Sequence, residues 1–302
     1  MILPLGLVED PQENLRLNSI QATRSSAFDP IIPVIPLHRT QFPNSKSELA
    51  EAMDDSLRRY VHKEGPLVTI NARVFPYLDE IAINFDGARL DPKLPPFTKA
   101  VGETRHACEA AVVKVSGRNV SIQGAPLQLQ LTASDLVFDQ GRDEKGEALL
   151  LVKSIRTGHF VVSVAQSDLE KAIRELAERE GARQGISIEE TRVSLRARGS
   201  RSIAADVRLR ARKFLFRTNI DISGQVDIDD QFNARVSNLK CRSDGTVGSL
   251  ACGVLEPHLQ RLEGHKFSLM SFPLGELKLR DVRIAVADTV EITADFGSAA
   301  SA

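Results

Sequence analysis

The chain has 302 residues, 42% hydrophobic and 26% charged, an ordinary globular composition with room for one large β-rich domain or two smaller ones. A formal net charge of −1 excludes whole-chain attraction to nucleic acid or to an anionic membrane, so any such attraction must be local. No stretch approaches the ~18 apolar residues of a membrane span, and Met1–Asp10 lacks the basic start and the apolar run of a signal peptide. The expectation is therefore a cytoplasmic or peripheral membrane protein.

Residues 1–44 lack periodicity and carry Pro11, Pro30, Pro33, Pro36 and Pro43. They read as an extended or disordered arm: a loose tail, or a segment that fills a groove or touches a partner through Ile31–Leu37. A first helix is predicted over 46–63. Ser45 and Glu48 make a capping box, and Leu49, Met53, Leu57, Tyr60 and Val61 line one face. Gly65-Pro66 ends it. Alternating segments then predict strands at Val68–Val74, Ile81–Phe85, Val113/Val115, Val120/Ile122, Leu127–Leu131 and Phe160–Val164. Pro92, Pro95 and Pro96 predict a loop over 90–102, and Gly141–Gly146 a polar turn.

The best-defined helix lies between Val164 and Gly181. Ser167 and Glu170 have capping-box spacing, and Leu169, Ala172, Ile173, Leu176 and Ala177 form one apolar stripe. Strands resume at Ile186/Ile188, Val193–Ala197 and Ile203–Ala211. Apolar residues sit at odd positions up to Ala211 and at even positions from Phe214, which requires a β-bulge or a tight turn at Arg212-Lys213. Asp229-Asp230 marks a hairpin turn. A third helix is predicted over 249–263, with Leu250, Val254, Leu255, Leu259 and Leu262 apolar and Pro257 as a kink or a true start. Two strands follow, Leu277–Val286 and Val290–Phe296, and 297–302 reads as a frayed tail.

Little in the chain points to catalysis. The six histidines are isolated, no Gly-rich loop opens a helix, and no nucleophile–base set is recognisable, so neither a cofactor nor a metal is expected. Cys108, Cys241 and Cys252 are too few for a disulfide framework. Unpaired thiols are favoured, with a Cys241–Cys252 bridge as the alternative.

One stretch is electrostatically distinct. Between Arg192 and Arg217, nine basic residues face a single acid, Asp206, for a local charge of +8. Arg208, Arg210 and Arg212 project from the face opposite Val207, Leu209 and Ala211, with Lys213 following. This is either a solvated outer face or a dock for anionic lipid headgroups. Nucleic acid is disfavoured, because the chain has no Trp and only two Tyr to stack bases beside these arginines.

The order of elements carries a resemblance. The first helix, Val74-Phe-Pro-Tyr-Leu-Asp-Glu-Ile-Ala-Ile83, the helix start Gln166–Ile173, and Leu255–Leu262 leading into Phe272-Pro-Leu-Gly-Glu-Leu-Lys-Leu-Arg-Asp-Val-Arg-Ile284 resemble the LmeA-like phospholipid-binding family, itself related to tubular lipid-binding (TULIP) proteins. The resemblance spans residues 46–296, as one lipid-binding domain. Some members of the family are exported and others are leaderless, and the expectation here is the second kind.

It implies an α+β fold, an elongated and strongly curved, mainly antiparallel sheet wrapped on about three helices around an apolar groove. The expected function is binding, and with it transfer, of phospholipid or another acyl lipid. Leu57, Leu169, Ile173, Leu176, Leu255 and Leu259 are the groove candidates; Arg208, Arg210, Arg212 and Lys213 are the membrane-docking candidates. The alternative is a non-enzymatic protein–protein adaptor that uses the N-terminal arm and the sheet edges.

Overall fold

The structure, a computed structural model, describes residues 34–91, 98–122, 124–183, 185–213, 216–269 and 277–298. All of them belong to one unit, Ile31–Ala302. The fold is α+β, with two open sheets and three helices among the described residues, α1 (Lys46–Leu57), α2 (Gln166–Arg183) and α3 (Gly245–Leu262).

The first sheet holds ten strands. Its main path runs β14 (Leu277–Val286), β15 (Thr289–Ser298), β8 (Ala148–Ala165), β7 (Ala125–Arg142), β6 (Val101–Ile122), β4 (Tyr77–Asn84) and β3 (Val68–Asn71). Three short strands attach to it: β1 (Val34–Pro36) on β8, and β2 (Val61–His62) on β5 (Arg89–Leu90), which pairs with β6. The second sheet is a meander of five, β9 (Ser187–Gly199), β10 (Ser202–Lys213), β11 (Phe216–Ile228), β12 (Asn233–Ser243) and β13 (Lys266–Ser268).

The expectation of one continuous sheet is therefore corrected to two. α2 interrupts the strand order, and alternation along a chain reports which face is apolar, not which strands pair. Pairing is antiparallel except where β4 and β5 each run parallel to β6. The sheets meet where Ile284 N of β14 donates to Ser200 O in the β9–β10 turn, at 2.6 Å. Short alternating segments of the sequence merge into long strands, since Val113–Ile122 is only the second half of the 22-residue β6.

α1 begins as its sequence predicts: Glu48 N donates to Ser45 Oγ (3.2 Å), and Asn44 N donates to Glu48 Oε2 (2.8 Å). It ends at Leu57 rather than 63, because Val61-His62 pairs with β5. The main core lies beneath it, where Leu49, Ala52 and Met53 pack with Leu37, Leu67, Leu78, Ile81, Cys108 and Leu150. The N-terminal arm joins the fold from Val34 onward, with β1 on β8 and Leu37 1% exposed, so the expected arm over 1–44 shortens accordingly. Residues 1–33, Pro92, Pro95, Pro96, Phe214, Phe272–Glu276 and 299–302 lie outside the described residues; Gly297 and Ser298 of the expected tail end β15.

α2 starts one residue before Ser167, so Ser167 is not its cap. Gln166 N donates to Asp288 O at 2.9 Å and Gln166 Nε2 to Ala287 O, which seats the helix start on the β14–β15 turn. The parity flip at Arg212-Lys213 falls where β10 gives way to β11, its antiparallel neighbour, with Lys213 and Phe216 as register partners. α3 begins four residues earlier than predicted and keeps Pro257 within it. Cys252 of α3 is disulfide-bonded to Cys241 of β12, which overturns the expectation of unpaired thiols. Cross-strand register brings β12 under α3, a proximity that cysteine spacing does not reveal.

Candidate functional site

From the main core, against which Val115 and Leu131 pack, apolar residues continue across both sheets, most of them only half-buried. In the first sheet, Val115, Leu131, Phe160, Ala294 and Val282 are successive partners across β6, β7, β8, β15 and β14. Gly117, Leu129, Val162, Ile292 and Ile284 make the next row. Directly opposed residues share one face of a sheet, so these rows form one apolar surface. Val282 and Ile284 are buried, whereas Val115, Leu129, Leu131, Phe160, Val162, Ile292 and Ala294 are half-buried.

The second sheet repeats the pattern. Val193, Val207, Ile222 and Cys241 form one row, Leu195, Ala205 and Gly224 the next, and Ala197, Ile203, Val226 and Val236 a third. One end of this face is packed, with Ala211, Ile220 and Cys252 against Ile186, Ile188, Leu209, Ile222 and Cys241. Toward the other end Leu195, Ile203, Ala205, Val226 and Val236 remain half-buried.

α2 supplies a third apolar surface. It is fixed to the outer edge of β9, where Glu170 Oε2 accepts from Val193 N (3.0 Å) and Arg174 donates to Thr191 O (3.4 Å). Leu169, Ala172, Ile173, Leu176 and Ala177 are half-buried, and no residue of the helix is buried. α1, by contrast, buries its whole stripe. The six groove candidates thus fall on three helices: Leu57 packs against the main core, Leu169, Ile173 and Leu176 lie on the α2 stripe, and Leu255 and Leu259 are half-buried on α3. The side chains of Leu250 and Val254 lie outside the described residues.

The arginine strand faces carboxylates. Arg208 Nε lies 2.7 Å from Asp221, Arg210 3.4 Å from Glu190 and Arg212 3.4 Å from Glu189. Arg192 also meets Glu190, Arg196 meets Asp206, and Arg217 meets Glu189. The local charge of +8 counted along the chain leaves out Glu189, Glu190 and Asp221, which adjoining strands bring alongside. Six arginines on four carboxylates leave a surplus of two, whereas a hollow of about 300 Å³ among Glu190, Arg192, Arg208, Arg210, Asn219, Asp221 and Asp244 is balanced in sign.

A second ionic cluster joins the two sheets. Arg201 reaches Asp281 (2.9 Å) and Asp230 (3.0 Å), donates to Val282 O, and lies 5.3 Å from the Phe232 ring centroid. Arg283 meets Asp281 at 2.6 Å, and His159 meets Asp295 at 2.7 Å. Arg201 first, then Arg283, holds the Asp281 carboxyl down at about 2. A depressed carboxylate stabilises the fold above its unfolded value near 3.9 and loses that contribution as pH falls toward 2, so this joint stays ionic at neutral and mildly acidic pH.

Cys108 is buried, and desolvation, with Glu109 adding to it, pushes its thiol up to about 12. Among the described residues no group of three His, Cys, Asp or Glu side chains could hold a metal, and no helix is long and apolar enough to cross a membrane. The chain matches no protein-family model, no curated protein and no solved structure.

Proposed function

We propose that the protein binds acyl lipid, with phospholipid as the first candidate, and that strongly curved sheets and α2 enclose an apolar groove for the chains. The observation that carries this reading is the set of half-buried apolar rows on both sheets, together with an amphipathic helix that buries none of its 18 residues. Folding normally removes such surface from water. An acyl chain laid along it gains about 0.8 kcal/mol per methylene, so affinity needs no special polar residue. The resemblance to a phospholipid-binding family points the same way.

Leu169, Ile173 and Leu176 are the proposed acyl contacts, with Leu255 and Leu259 extending them; Leu57 belongs to the packed core. The adaptor alternative has less support, because Val34–Pro36 is paired to β8 and Leu37 is buried.

Organic extraction of the purified protein followed by lipid analysis tests the reading. The wild-type chain should release stoichiometric lipid. A variant combining Leu169→Gln, Ile173→Gln and Leu176→Gln should release several-fold less, while each half-buried position costs only about 1 kcal/mol of stability or less. Repeated preparations without lipid, which also fail to extract labelled phospholipid from vesicles, would overturn the proposal.

A further inference from the structure

Four large apolar side chains among the described residues stand well out in solvent: Val74, Tyr77, Val101 and Phe216. Phe216 differs from the others in its surroundings. It is 65% exposed, opens β11, and is the register partner of Lys213, the last residue of β10. One rung further in, Arg212 opposes Arg217, and in the sequence only Phe214 and Leu215 join the two strands.

The two faces of the β10–β11 pair end differently. Lys213 and Phe216 continue the face that carries Ala211 and Thr218, while Arg212 and Arg217 continue the charged face. Arg212 and Arg217 share one carboxylate, Glu189, at 3.4 and 3.3 Å. Lys213 has no acidic partner among the described residues. Further along the strand Arg208 has its own acid, Asp221, and Arg210 leans on Glu190, so uncompensated positive charge collects at this end of the pair.

We infer that the Lys213–Phe216 rung of the β10–β11 pair, with the Arg212–Arg217 rung beside it, is a membrane contact, with Phe216 entering the interfacial layer of an anionic bilayer and Lys213, Arg212 and Arg217 meeting its phosphates. The inference rests on the lipid-binding reading, since a lipid carrier must reach a bilayer to load. An anionic bilayer is the occupant that fits the charge: each basic residue near such a surface strengthens binding about fivefold. An exposed aromatic ring beside cations suits the headgroup zone, where one end of the site is apolar and the other wet.

The chain contains no tryptophan, so Phe216→Trp introduces a single fluorophore at the proposed contact. With vesicles of equimolar phosphatidylglycerol and phosphatidylcholine, its emission should shift to the blue and be quenched by brominated acyl chains. Pure phosphatidylcholine vesicles should give neither effect, and raised salt should weaken both. Adding Lys213→Gln and Arg217→Gln should lower vesicle partitioning about tenfold or more. Val74→Trp, at another exposed apolar position, should stay unquenched. An unshifted Phe216→Trp spectrum, or equal quenching at positions 74 and 216, would overturn the inference. Lipid extraction from the same preparations separates the two readings: lipid present with no insertion at Phe216 defeats the membrane contact alone, whereas an absence of lipid defeats the carrier reading.

Discussion

Cys108 lies in the main core, whereas Cys241 and Cys252 join β12 to α3 across a sequence separation of 11 residues. Closing so short a loop stabilises the fold by about 2–3 kcal/mol in the chain-entropy account. Native protein should therefore show no thiol reactive to a chromogenic disulfide reagent at neutral pH. Protein denatured without reductant should show one, and denatured, reduced protein three. Three thiols before reduction would mean the bridge does not form. At this scale the sequence was partly legible. Ser45 and Glu48 bracket the helix start where their spacing puts it, yet Glu170, in the same spacing with Ser167, leaves its own helix and accepts from Val193 N. Local spacing cannot foresee that an edge strand will come within reach of a carboxylate.

Glu170 is one of three such carboxylates, one for each helix. Asp54 of α1 accepts from Leu67 N (2.5 Å) and Val68 N (3.1 Å) at the β3 edge. Glu263, which ends α3, accepts from Asn238 N (3.0 Å) and Leu239 N (2.7 Å) on β12, past the Asn233–Arg235 stretch that the short β13 covers. Open sheet edges present unpaired N–H groups that invite another strand, and a charged acceptor placed on them satisfies the donors and blocks that pairing. Glu263→Ala should cost about 1–2 kcal/mol in denaturant melts and speed hydrogen exchange at Asn238 and Leu239, while Glu263→Gln, which keeps an acceptor, should cost less. No change in exchange at those two amides would mean that the carboxylate does not hold this edge. All three helices were visible in the sequence as apolar stripes between strands. Their ends were less so: a pairing between Val61-His62 and Arg89-Leu90 cuts α1 short, and contacts to the β14–β15 turn fix where α2 begins.

For the molecule as a whole, the fold class followed from the alternation of apolar and polar residues, but the division into two sheets did not, because it depends on β15 pairing back to β8 across the whole intervening meander. The carboxylates that meet the arginine strand do not show in that stretch of sequence, because they stand on the neighbouring strands β9 and β11. The half-buried rows have a thermodynamic consequence. A fully packed chain unfolds with a heat-capacity increase of about 12–15 cal/mol/K per residue, set mainly by the apolar surface newly exposed. Here part of that surface already meets water in the folded state, so the lipid-free protein should fall below this range in calorimetry, with a correspondingly shallow denaturant slope. Loading a lipid should then show a negative heat capacity of binding and restore the unfolding increment toward the packed value. A lipid-free chain that already unfolds with the packed value would mean that these faces are closed to water, and that the room proposed for an acyl chain does not exist.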